Sequence, residues 1–150
     1  MATAAHVAPA SRSDDARGRR LVLAAWFFLV GSAVHVADHL RRGQSSVTES
    51  LYVAGNVALV VQVVIITLVL TRHRWAPVVA AAGGLGLAVG FTAAHWLPTW
   101  GELSDSFVDQ PASAFSYLAS TMEIVGAIAV GVCGLSVWRS GLRRGNRPTS

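Results

Sequence analysis

Apolar positions dominate four long stretches of the chain, 21–40, 51–71, 76–97 and 113–138, with short polar connections between them. A helix rises 1.5 Å per residue, so about 20 residues cross the roughly 30 Å of hydrocarbon in a bilayer. Each stretch meets that length, and the pattern predicts four transmembrane helices. The short connections make successive helices antiparallel neighbours. The predicted fold is an all-α, integral membrane four-helix antiparallel bundle occupying residues 21–138. Residues 1–20 are rich in Ala, Ser, Asp and Arg, without apolar periodicity, and read as a disordered cytoplasmic tail. Residues 139–150 read as a basic cytoplasmic tail.

Punctuation along the chain supports these limits. Trp75, Trp96, Trp100 and Trp138 fall at span ends, where an indole can pack its apolar ring and still find a partner for its N–H. Pro77 sits in the first turn of the third span, where a missing N–H costs nothing. Pro98 ends that span and Pro111 precedes the fourth. The small residues Ala82, Gly86, Gly90 and Ala94 recur every four positions. Such a ridge suits close helix packing, inside the bundle or, as the alternative, against a second copy in a homo-oligomer.

Composition agrees with the pattern. Apolar residues make up 53% of the chain and charged residues 13%, about half the charged share of a soluble domain. Mean hydropathy is +0.49. All 12 basic residues are arginine. Ten of them fall in the two tails and in the connection between spans two and three, while Arg41 and Arg42 lie on the opposite side. That asymmetry places both termini in the cytoplasm under the positive-inside rule. It also accounts for the net charge of +4 without a nucleic-acid partner, which would need basic residues grouped with readers on a folded face. Arg19 and Arg20 before an apolar run also resemble a secretory signal, with Gly31, Ser32 and Ala33 at the cleavage position. The apolar run continues beyond that point, which favours an uncleaved first helix. The arginine- and alanine-rich, lysine-free composition suits a bacterial source, and hence a plasma membrane.

Ionisable residues inside these spans carry the functional signal, because their burial in hydrocarbon is costly. His35, Asp38 and His39 share one helical face near the end of span one. His35 lies roughly 9 Å deeper than Arg41 at helical rise. Span two offers Asn56. Span three offers Thr92 and His95. Span four offers Ser113, Ser116, Ser120 and Glu123 at spacings of three and four. On the antiparallel topology all of these lie in the outer half of the membrane, and the inner halves are apolar apart from Gln62. The stripes predict a polar site between the helices, opening outward. The 14-residue loop 99–112 carries Glu102, Asp105 and Asp109 and no basic residue, and suits either a surface cap over the bundle mouth or a plain connector.

Imidazoles and carboxylates together suit zinc, iron, copper or manganese, with His35, Asp38, His39, His95 and Glu123 as the candidate ligands. Asn56, Thr92, Ser116 and Ser120 are candidate ligand-binding residues around them. The spacing is not that of the His-Glu-x-x-His proteases, and no catalytic residue is assigned. Haem between His35 and His95 is a variant with less in its favour, since the Val and Ala around His35 leave no gap for a macrocycle. The alternatives are a structural or accessory membrane subunit without a ligand, and a proton-coupled small-molecule carrier.

Overall fold

The computed structural model describes residues 12–145. Four long helices follow one another: α1 (Arg12–Arg42), α2 (Glu49–Leu70), α3 (Ala76–Trp96) and α4 (Ala114–Gly145). There is no strand among the described residues. All four helices are long and apolar enough to cross a membrane. The expected tails differ from the structure in part. Helix α1 starts well before the apolar run, with Asp14 and Asp15 in its first turn. Carboxylates there oppose the positive end of the helix dipole, and Asp14 also pairs with Arg17 at 3.0 Å. Helix α4 likewise runs on through Arg139 to Gly145. The remaining tail residues, His6 and Pro9 among them, lie outside the described residues.

Local chemistry sets the ends. Gly43 terminates α1 at φ 83, a conformation open to glycine and strained for other residues. The Thr48 side chain accepts a hydrogen bond from Leu51 N–H and caps α2. Helix α2 closes with His73 N–H donating to Leu68 C=O and Arg72 N–H to Val69 C=O. That paired arrangement puts Arg72 at φ 54, a place glycine usually fills. Pro77 lies in the first turn of α3.

Packing centres on α4, which meets α1 and α3 through glycines. A Cβ on Gly126 would lie 2.8 Å from Phe28 Cα, and one on Gly31 would lie 2.8 Å from the Met122 carbonyl. On the other flank, a Cβ on Gly84 would meet the Ala127 carbonyl and Gly131 N, and one on Gly134 would meet Pro77 and Ala81, all at 2.8 Å. As α4 advances its contacts on α1 and α3 recede, so α4 is antiparallel to both. Ala25, Phe28, Ile65, Ala80, Ala127 and Val130 fill the interior. Helix α2 stands more at the edge, with Val53, Val57, Val60 and Val63 exposed.

The Ala82–Gly86–Gly90–Ala94 ridge makes little of the internal seam, since Ala94 alone of the four is buried. Gly86 and Gly90 face open space, and Ala82 is exposed. The inner seam of α3 is the neighbouring set Ala80, Ala81, Gly84 and Ala88, all buried. Two rows of small residues run along this helix, and hydropathy alone does not distinguish them.

Candidate functional site

The polar residues gather at the end of the bundle away from the described ends of the chain. His35 and His39 stand one turn apart on α1, and their Nε2 atoms meet at 2.9 Å. His95, at the end of α3, completes the group. Its ring lies 5.0 Å from that of His35 and 6.1 Å from that of His39, centre to centre. One ligating nitrogen from each of the three falls within 4.8 Å of the others. His35 and His95 are buried and His39 is half-buried, so the cluster is approached past His39.

His95 is oriented from outside the cluster. Its Nδ1 lies 3.2 Å from the Asp105 backbone carbonyl. A carbonyl only accepts, so Nδ1 carries the proton and the Nε2 lone pair is free. A hydrogen bond on the distal nitrogen is the usual device for fixing a ligating histidine. The Asp105 carboxylate stands 3.6 Å from the same Nδ1 and takes both arms of Arg42, at 2.5 and 2.7 Å.

The connection after α3 is therefore a cap. Asp105 N–H donates to Ala94 C=O, and Phe107 N–H to His95 C=O, both at 2.9 Å. The Phe107 ring covers His95 at 4.9 Å, and Arg42 lies over that ring at 5.6 Å. Tyr117 Oη donates to the Phe107 carbonyl at 2.8 Å, and Ser106 Oγ to that of Leu97 at 2.7 Å. Thr48 Oγ1 ties the α2 side to the same loop through the Glu102 carbonyl.

Glu123 approaches from α4. It is buried, with Oε2 3.6 Å from His35 Nε2 and Oε1 accepting from Gln62 Nε2 at 2.9 Å. Gly31 makes this approach feasible, because any side chain there would press on the backbone at Met122 and Glu123.

His35, His39, His95 and Glu123 thus come together as the sequence suggests. Other candidates do not. Asp38 is buried but turns to Arg41, which donates to it at 2.7 Å and also reaches Ser113 and Ser116. Paired with a guanidinium, Asp38 is removed from the imidazole cluster. Ser116 belongs to that second network. Ser120 is buried, and its Oγ lies 3.2 Å from the Tyr117 carbonyl. Thr92 donates to Ala88 within its own helix. Asn56 is exposed and donates to Tyr52, so it faces outward and Gln62 supplies the inward polar group. Sequence reasoning missed Gln62, Asp105 and Phe107 as site residues. For Gln62 the signal was its isolation in an apolar helix. For Asp105 and Phe107 it was an acidic, aromatic loop beside an arginine pair.

No known protein family matches the chain, and no curated protein or solved structure matches it either.

Proposed function

We propose that this is a multi-pass membrane protein whose three histidines hold a single transition-metal ion, drawn from zinc, iron, copper and manganese. The site lies at the end of the bundle away from the described ends of the chain. The arginine distribution argues for cytoplasmic termini and so for an outward-facing site, in a plasma membrane if the source is bacterial. The observation that carries the reading is the convergence of three imidazole nitrogens within 4.8 Å, with His95 already held in the ligating tautomer by Asp105. Imidazole suits zinc, iron and copper, and manganese draws more on oxygen ligands. Haem fits less well, because His35 and His39 touch and Phe91 and Phe107 close the flanks.

Purification in mild detergent, with an absorption spectrum and elemental analysis, tests the reading. The expected result is a transition metal near one per chain that chelators remove and His35→Ala lacks. A protein that stays metal-free after exposure to each candidate ion overturns it. That outcome moves weight to an accessory subunit without a ligand, a role favoured by the Gln62–Glu123 bond that ties α2 to α4.

A further inference from the structure

Around Glu123, four buried polar atoms lack a hydrogen-bond partner: Ser32 Oγ, His35 Nδ1, Gln62 Oε1 and Glu123 Oε2. The Glu123 side chain is 1% exposed and the Gln62 residue 3%, deep in helices that are mainly apolar. A carboxylate oxygen left bare in such surroundings costs several kcal/mol unless something positive meets it. Ser32 on α1 and His35 of the cluster stand beside it. The gap of 3.6 Å between Glu123 Oε2 and His35 Nε2 is too long for a hydrogen bond. Two ligand atoms on a tetrahedral ion with bonds of about 2.0–2.1 Å stand roughly 3.4 Å apart. The pair is spaced like co-ligands.

We propose that Glu123 is the fourth ligand of the three-histidine centre, and that Gln62 positions its carboxylate, making the site selective for a divalent ion over copper(I). The proposal rests on the metal-binding reading above. Gln62, on α2, donates to Oε1 at 2.9 Å and so leaves Oε2 as the oxygen turned to the metal. A ligating carboxylate is commonly fixed by such a partner. Ser32 stands close to the same carboxylate. His35 and His39, now 2.9 Å apart, part by about 0.5 Å to admit the ion. Three neutral imidazoles leave a dication fully charged in low dielectric, and one carboxylate halves that charge. A hard oxygen adds affinity for zinc, iron(II), manganese or cobalt(II), and little for soft copper(I).

The test is titration of the detergent-purified full-length protein with cobalt(II), zinc(II) and, under reducing conditions, copper(I). Cobalt(II) also reports coordination through its visible bands, which are strong when four-coordinate. Glu123→Gln and Gln62→Met keep size and remove the ligand charge or the donor. Each is expected to weaken cobalt and zinc binding by about 10–100-fold and to change the cobalt spectrum, with copper(I) affinity unchanged. Melting of the metal-free proteins checks that the variants fold. Equal loss for all three ions overturns the proposal by making both residues structural, and unchanged affinities overturn it outright. Either result leaves the histidine reading standing if His35→Ala still abolishes binding, whereas a wild-type protein that takes up no ion fails that reading itself.

Discussion

Toward the described ends of the chain, α3 and α4 meet almost backbone to backbone. No side chain fits at Gly84 or Gly134 without pushing on a neighbouring main chain at 2.8 Å. At the opposite end the same two helices are separated by His95, Phe107 and Tyr117 and joined through the loop between them. One end is held by contact between small apolar surfaces, which is insensitive to charge. The other is held by directed polar bonds, each needing its partner. Packing of the first kind can anchor a bundle rigidly enough for the second kind to keep imidazoles and a carboxylate in register. In hydrocarbon, where burial itself gives no force between helices, both devices are needed.

The largest effect that separates the two ends is expected at Asp105. The side chains of the Arg42–Asp105 pair are 19% and 11% exposed. Removing one partner of a largely buried pair costs about 3–5 kcal/mol. Asp105→Ala is therefore expected to lower stability by that order in chemical unfolding in detergent. The cap should also become a site of early proteolysis, since its link to α1 is gone. If the variant unfolds like wild type, the polar end is not held as described.

A smaller effect is expected at the apolar end. Gly84→Ala forces a methyl group against the Ala127 carbonyl and Gly131 N, and overpacking of this kind costs about 1–3 kcal/mol. Gly86→Ala, two positions on, meets nothing within 4 Å. It should be neutral or stabilise by up to about 1 kcal/mol, through helix propensity alone. The same unfolding assay reads both. Equal responses at the two glycines would mean that the inner seam does not run through Gly84.

The contrast also explains what was legible in the sequence. The helices follow from runs of apolar residues, and α3 begins at the expected Ala76 while α4 begins one residue after the expected start. His35, His95 and Glu123 were readable as neighbours because each is costly in hydrocarbon and the topology puts them at one level. Asn56 and Gln62 were not sorted correctly. Both are amides on α2, and α2 is apolar on all sides, so no amphipathic stripe indicates which face turns inward. The same ambiguity hid which row of small residues on α3 is buried. Asp38 was expected among the ligands, although Arg41 three residues on lies within its reach on the same helix and takes it. Asp105 reaches Arg42 from the connection between α3 and α4, and periodicity carries no information about the path of that loop.

The smallest expected effect lies within the cap and depends on pH. Asp109 Oδ2 accepts from the Thr99 backbone N–H at 2.6 Å, and this bond holds its exposed carboxyl below the ordinary aspartate range. A group with a lowered folded pKa contributes stability above its unfolded value, and that contribution is lost as pH falls through the folded value. Wild type should therefore melt slightly above Asp109→Asn near neutral pH, where the carboxylate is charged. The gap should close in acid, because a protonated aspartate resembles asparagine. The two Tm profiles are measured against pH and subtracted, which cancels titration elsewhere. A gap that stays constant from neutral to strongly acid conditions would show that the charge on Asp109 contributes nothing to closing the cap. The cap would then depend on its other ties, those of Arg42, Asp105, Ser106 and Tyr117 among them.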